Sequence, residues 1–477
     1  MKTLSFFIAL LVFVIGCKAQ ENDIETTAHG IEWLPNSEAV KAGAILVPEN
    51  HEEPDGKKIR ITYIVLKARD TTVSNYPMIF FSGGPGGNTL DPGMVNFLLE
   101  QHPMREKRDI ILFDQRGIGY SSALPDMSFA SFNIMAKNAD EEEELKLMED
   151  MVAAYQKKCE EQFIEPKYYN TLQNAKDVGM LFKHLGYEKY NLFGGSYGTR
   201  IARVVQDMFP SFINSSVLDS PSPLSGDFLI DRLDSYSLAL GRIFDYCENT
   251  PTCQGSYPSL KEDYFKAIEI LKKKPLLVSM NDSLDIYINA QDGIYLLRRL
   301  LYQNDAREKA PELIKAFIEG GGKVINDVLQ FEYQLTGGLN LSMLLSVEKY
   351  EQFNSANTPE EIQKQYDKYP LIPAKLGFFD AFYQAGMSWH TGNLPMEDRS
   401  FQDSAIPTLI FVNQFDPVTP PIYGHLFMKN LSSGTLLILD EGGHGSGNAE
   451  CKDQVISDFM DHPNEKPDVS CLHIYGQ

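Results

Sequence analysis

The feature that most constrains this chain is a spacing. Eight short runs rich in β-branched and aromatic residues, bounded by turn formers, read as strands: Gly43–Val47, Ile59–Leu66, Met78–Phe81, Asp109–Phe113, Tyr190–Phe193, Ser215–Leu218, Thr408–Val412 and Thr435–Leu439. Between the sixth and the seventh lies the stretch 222–400, which holds no comparable strand series and reads as helix, for example over Ile294–Tyr302 and Pro311–Gly320. The third to eighth runs are nearly continuous in apolar residues, the pattern of parallel strands covered by helices on both faces. Ile59–Leu66 alternates instead, as an antiparallel strand near a sheet edge does. Leu172, Ala175, Val178, Phe182 and Leu185 keep helical spacing and end at Gly186. Another helix opens at Asp140–Glu144, with carboxylates in its first turn and Lys157 and Lys158 near its end. The expected architecture is α/β: a mostly parallel eight-stranded sheet built from 31–221 and 401–477, carrying a helical cap, 222–400, inserted after the sixth strand.

Composition narrows the function classes. With 43% hydrophobic and 23% charged residues the chain is of ordinary globular make-up, and 65 acidic against 43 basic residues leave a net charge of −22. Such a surface repels nucleic acid and anionic membranes, so neither is an expected partner. At the N-terminus, Lys2 precedes the apolar run Leu4–Ile15, too short to span a bilayer but matched to a signal peptide over 1–16. Val14-Ile15-Gly16-Cys17 resembles a bacterial lipoprotein box, in which Cys17 is the lipid attachment site and 17–30 a lipidated tether; the alternative is an ordinary secretory signal with an incidental cysteine. The expectation is an exported protein that meets a bacterial membrane only through that anchor.

Export places the remaining cysteines where disulfides persist. Cys247 and Cys253 bracket a turn-rich segment, and Cys451 and Cys471 flank the last helical stretch, so each pair is a disulfide candidate against the plainer reading of small buried hydrophobes. Cys159 is left over. No Cys/His spacing resembles a zinc site, and no metal is expected.

Three strand ends carry chemistry. After the fifth strand stands Gly194-Gly195-Ser196-Tyr197-Gly198, a G-x-S-x-G that leads into the helical Ile201–Val205. A serine on a sharp strand-to-helix turn projects its hydroxyl above the sheet, and the N–H of Tyr197 then sits at a helix N-terminus, where developing negative charge is stabilised. After the third strand, Ser82-Gly83-Gly84-Pro85-Gly86-Gly87 lacks the Lys-Ser/Thr of a phosphate loop and occupies the position of the loop that supplies the second oxyanion N–H; Gly84 is the chosen donor. The orienting acid and the base should follow in that chain order. Asp416 stands after the seventh strand in the proline-stiffened Phe415–Pro420, and His444 after the eighth in the glycine-rich Asp440–Gly445. Asp219, after the sixth strand, is the rival acid. His390 and the other seven histidines have no such setting. Together these residues spell nucleophilic acyl transfer without a cofactor.

Ser82–Gly87, Asp114–Ser122, Gly194–Thr199 and Asp416–Pro421 together resemble the α/β-hydrolase family of proline iminopeptidases and tripeptidyl aminopeptidases, and the cysteine pair at the C-terminus is similar to the secreted, tripeptidyl-aminopeptidase-like branch. The resemblance covers roughly 40–221 and 405–475. It implies an α/β-hydrolase fold and a serine aminopeptidase that releases proline, other amino acids or short peptides from the amino end of small peptide substrates, with cap carboxylates holding the substrate ammonium. Ser82 stands where prolyl members often carry His. Asp114 and Arg116 are expected to brace the oxyanion loop, and the acidic balance to set a negative potential around the catalytic mouth. A carboxylesterase of the same fold and a non-catalytic, hydrolase-like binding protein are the alternatives.

Overall fold

The computed structural model describes residues 31–475 apart from 73–74, 101, 281–283 and 446–448. The expected signal peptide and tether, with Cys17, lie outside the described residues. All eight expected strands form: β1 (Val40–Pro48), β2 (Lys58–Leu66), β3 (Met78–Phe81), β4 (Ile110–Phe113), β5 (Tyr190–Gly195), β6 (Ile213–Asp219) and, after the cap, β9 (Thr408–Asn413) and β10 (Gly434–Leu439). Between β6 and β9 the short strands β7 (Leu276–Met280) and β8 (Leu284–Ile288) make a hairpin of their own. The eight-stranded sheet has the order β1-β2-β4-β3-β5-β6-β9-β10. β1 and β2 run antiparallel to each other and β2 antiparallel to β4, while every other pairing is parallel.

The apolar runs are explained by this placement. Ile110–Phe113 and Leu409–Val412 are fully buried because helices cover both sheet faces. The alternation of β2 matches its antiparallel position next to the edge strand β1. The helix Thr171–Leu185 ends on Gly186 at φ 72°, a left-handed C-cap suited to glycine.

The sheet takes nothing from 222–400 among the described residues: that stretch is helical apart from the β7–β8 hairpin. The helical layer above the sheet is wider than the sequence suggests. Helices Ser128–Met135 and Glu141–Glu161, assigned above to the core segment 31–221, pack against cap helices Lys323–Gly337 and Phe378–Gly386 respectively. The N–H of Tyr287 and the amide of Asn289 donate to the carbonyls of Ala136 and Ala139. Their apolar residues, Phe132, Met135, Met148, Met151 and Val152, are buried in that layer, which the order of residues along the chain does not disclose.

Two disulfides join Cys247 to Cys253 and Cys451 to Cys471. The second ties the helix Ala449–Asp461 to the C-terminal tail, where Asp440 donates its N–H to the carbonyl of His473 and Tyr475 donates to that of Ile438. The tail thereby splints the end of β10. Cys159 is free and buried, and burial pushes its thiol up to about 11, so it behaves as a small core hydrophobe.

Candidate active site

Ser196 occupies the turn between β5 and the helix Tyr197–Met208 with φ 53°, a left-handed conformation that a non-glycine residue holds only where its surroundings impose it. Its N–H donates to the carbonyl of Asp219 at 2.8 Å. Crowding dictates the glycine beside it: a Cβ on Gly198 would run into the carbonyl of Phe81 at the end of β3. The strained turn lifts the hydroxyl to the mouth of the sheet, where the ends of β9 and β10 bring their side chains.

His444 Nε2 lies 2.8 Å from Ser196 Oγ, and His444 Nδ1 lies 2.9 Å from Asp416 Oδ2. Asp416 is wholly buried and held in place: its Oδ1 accepts from the N–H groups of Val418 and Thr419, and its Oδ2 from Thr419 Oγ1 at 2.7 Å. Burial alone would raise the Asp416 carboxyl, but His444 and the donors of Thr419 outweigh it and hold the group below the ordinary carboxylate range. Burial likewise works against the imidazolium of His444, and Asp416 overcomes it, so the imidazole titrates above its ordinary value. Asp219, the rival acid, pairs with Lys452 at 2.6 Å and makes no hydrogen bond to His444. His390 is an exposed side chain 3.6 Å from Glu160.

The oxyanion loop closes over Ser196. A Cβ on Gly83 would come within 3.0 Å of Ser196 Cβ. Gly84 follows at φ 114°, and Tyr197 is the first residue of its helix, so its N–H has no intrahelical acceptor. The loop is braced as expected of Asp114: Oδ1 accepts from the N–H groups of Thr89 and Leu90, and Oδ2 from that of Tyr120. Gln115 adds a donation to the Ser82 carbonyl, and Ser82 Oγ donates to the Gly87 carbonyl at 2.6 Å. Arg116 does something else. Its guanidinium pairs with Asp177 and donates to the carbonyls of Pro48, Glu49 and Tyr168, pinning the end of β1 rather than the loop.

The cap supplies residues that sequence reasoning missed. The helix Ala290–Leu300 is buried on every side and carries Arg298 and Arg299. Tyr302, just beyond it, stands edge-on to His444 with ring centroids 5.0 Å apart. The approach requires Gly443, whose Cβ would collide with the carbonyl of Leu301. Burial opposes ionisation of Tyr302, yet Arg298, Arg299, His444 and Arg232 bring its hydroxyl down to about 8. Three cap arginines thus act on Tyr302 beside His444, a grouping that the net charge of the chain does not foreshadow. That charge belongs to the exterior, where carboxylates such as Glu141, Glu142 and Glu143 are exposed. A helix over Leu341–Glu351 links cap to nucleophile helix: Glu351 accepts from Thr171 and from Arg200 Nη1 at 2.8 Å, and Glu348 Oε2 lies 3.8 Å from the same nitrogen. Arg298 and Arg299 interrupt an apolar period, Ile294, Leu296, Leu297, Leu300, Leu301, and that interruption is the one signal from which they could have been found. Among the described residues, no group of three or more His, Cys, Asp or Glu side chains is placed to hold a metal ion.

Residues 76–282 match a family model described as alpha/beta hydrolase fold, and residues 378–471 one described as TAP-like protein. The chain has the α/β-hydrolase fold. It is 23% identical over 427 residues to the YuaR protein of Escherichia coli (strain K12), covering 83% of this chain and 79% of that one. It is 28% identical over 216 residues to the tripeptidyl aminopeptidase of Streptomyces lividans, a match spanning 43% of this chain and 40% of that enzyme. With the serine protease Hip1 of Mycobacterium tuberculosis (strain ATCC 25618 / H37Rv) it shares 24% identity over 213 residues, 40% of this chain and 39% of that one.

Proposed function

We propose that this hydrolase is a serine aminopeptidase that removes N-terminal residues from short peptides through an acyl-enzyme on Ser196. The observation that carries the chemistry is the hydrogen-bonded row Ser196 Oγ, His444 Nε2, His444 Nδ1, Asp416 Oδ2, at 2.8 Å and 2.9 Å. Ser196 Oγ attacks the scissile carbonyl carbon while His444 takes its proton, and the oxyanion is received by the N–H groups of Gly84 and Tyr197. Collapse expels the leaving amine with the proton from His444, and water, deprotonated by the same imidazole, then releases the acyl group. Asp416 holds the tautomer that leaves Nε2 free to accept. The direction of attack, from the amino end, is supported by the TAP-like match over 378–471 and by the similarity to a tripeptidyl aminopeptidase. Glu348 is the carboxylate we assign to the substrate ammonium: it is buried in the cap, and its Oε2, 3.8 Å from Arg200 Nη1, accepts no hydrogen bond. The same reading has the enzyme outside the cytoplasm, which the two disulfides favour, held there by a lipid on Cys17 as the N-terminal sequence suggests. A panel of aminoacyl and peptidyl amides, free or acetylated at the amine, tests it beside short-chain esters. Free-amine amides should be cleaved and their acetylated forms should lose most of that rate. Equal rates on both forms, or turnover confined to esters, would make this a carboxylesterase.

A further inference from the structure

Buried guanidinium groups are ordinarily saturated with acceptors, since a desolvated charge without a partner is costly. Arg200 and Arg299 are each paired with a carboxylate, Glu351 and Glu332, although Nε of each lacks a hydrogen bond. Arg298 has no such carboxylate partner among the described residues. Its side chain is 1% exposed, and its Nε and Nη2 are buried without a hydrogen-bond partner. It has only ring faces to lie on, those of Phe379 at 4.9 Å and Tyr302 at 5.8 Å. Arg232 flanks the same Phe379 ring at 5.2 Å, stacks on Phe228 at 3.4 Å, and gives one N–H to the Phe228 carbonyl. The anions that bear on Arg232 are Glu348, which Arg200 also attracts, and its chain neighbour Asp231. Two cations therefore converge on the Phe379 ring, and Arg298, whose Nε and Nη2 lack acceptors, also lies against Tyr302, the ring that stands 5.0 Å from that of His444.

A void lies on the far side of their ring partners Phe228 and Phe379, though neither arginine lines it. Phe228, Phe379 and Arg299 line a cavity of about 60 Å³ that reaches Leu339, and Leu339 touches the oxyanion loop: its Cδ2 would meet a Cβ on Gly84 at 3.3 Å.

We propose that Arg298 and Arg232 form a carboxylate subsite behind Tyr302, on the cap side of His444, so that the favoured substrates are short peptides carrying a free carboxylate near the scissile bond. A planar carboxylate is the group whose two oxygens match guanidinium forks, and it fills the acceptor deficit that a neutral side chain leaves open. This deepens the aminopeptidase reading and rests on it for the word peptide; the subsite itself does not depend on which bond is cut. The carboxylate has two possible sources, an acidic side chain on the residue that supplies the scissile carbonyl or the free C-terminus of the leaving residue.

The test has three arms. In the first, kcat/KM is compared for Glu- and Gln-anilides with free amines; in the second, for a dipeptide and its C-terminal amide. In the third, the same carboxylate and amide compounds compete with fluorophosphonate labelling of Ser196, which requires no turnover. The carboxylate member should be favoured at least tenfold in one of the first two arms, which identifies its source, and should protect Ser196 at least tenfold more strongly than its amide. Arg298→Gln and Arg232→Gln should each bring those ratios toward one, chiefly through KM, and Arg298→Lys should restore part of the preference. Ratios near one in the wild-type protein in all three arms overturn the subsite whether or not any variant folds. Selective protection without cleavage of any amide would leave the subsite standing and sink the aminopeptidase reading.

Discussion

Replacing Asp416 by Asn is the substitution whose outcome the geometry fixes most tightly. Asp416 Oδ1 accepts two backbone N–H groups, from Val418 at 2.7 Å and Thr419 at 2.8 Å. The asparagine carbonyl must take that place, because the opposite rotamer would set an NH2 against two buried donors at a cost of about 1–3 kcal/mol for each lost bond. The NH2 then points where Oδ2 was, at Thr419 Oγ1 and His444 Nδ1. Facing a donor, Nδ1 becomes the acceptor, the ring proton moves to Nε2, and Nε2 turns a hydrogen toward Ser196 Oγ instead of a lone pair. The base is removed without moving an atom by more than a few tenths of an ångström. The expected loss in kcat is roughly a thousandfold to ten-thousandfold, about 4–5.5 kcal/mol of barrier, with KM little changed. Steady-state kinetics on a free-amine amide measure it, and a thermal melt run alongside should show no collapse of the fold. A kcat within tenfold of the wild type would mean that His444 takes its tautomer from elsewhere, and the assignment of Asp416 would fall.

Three further outcomes follow from the same structure. Because His444 is held above its ordinary value of 6.5 and acts as the neutral base, kcat/KM should rise with pH through a midpoint above 6.5; a midpoint well below it contradicts the Asp416 pairing. Burial pushes Glu144 up to about 7, so the folded chain binds a proton that the unfolded one releases near 4.5, and stability drains away as pH rises between those values; Glu144→Gln should gain on the order of 3 kcal/mol over wild type at pH 8 and little at pH 4 in urea unfolding, and no pH dependence in that difference would refute the cause. Cys451→Ser with Cys471→Ser should cost about 3 kcal/mol of stability and, because the tail splints β10 ahead of His444, should reduce kcat, whereas removing Cys247 and Cys253 should leave kcat unchanged.

The sheet was legible because its strands are buried on both faces, and burial leaves a mark on a sequence that exposure does not: Ile110–Phe113 and Thr408–Val412 contain no residue that water would require. Ser196, Asp416 and His444 were legible because each stands at a strand end whose rank in the chain assigns its role. The cap was legible only as helix. Charged residues on a helix read as a solvated face, and nothing in the order of residues says that Arg298 is enclosed on a helix with no exposed side. The same limit hid Arg232 and Glu348, which meet across two helices, and the docking of Ser128–Met135 and Glu141–Glu161 into the cap layer. Net charge does not describe the mouth because it sums the whole chain, while the potential at a buried site is set by the few charges nearest to it.

The central claim is that the amino-terminal part of a peptide passes through a covalent bond to Ser196. It is tested most directly by quenching the enzyme in acid during turnover of an ester of a free-amine peptide, digesting it, and mapping the adduct by mass spectrometry. The adduct should sit on the fragment containing Ser196 and weigh what the substrate's N-terminal acyl portion weighs. An adduct on any other residue, or no adduct under conditions of continuing turnover, would contradict the account.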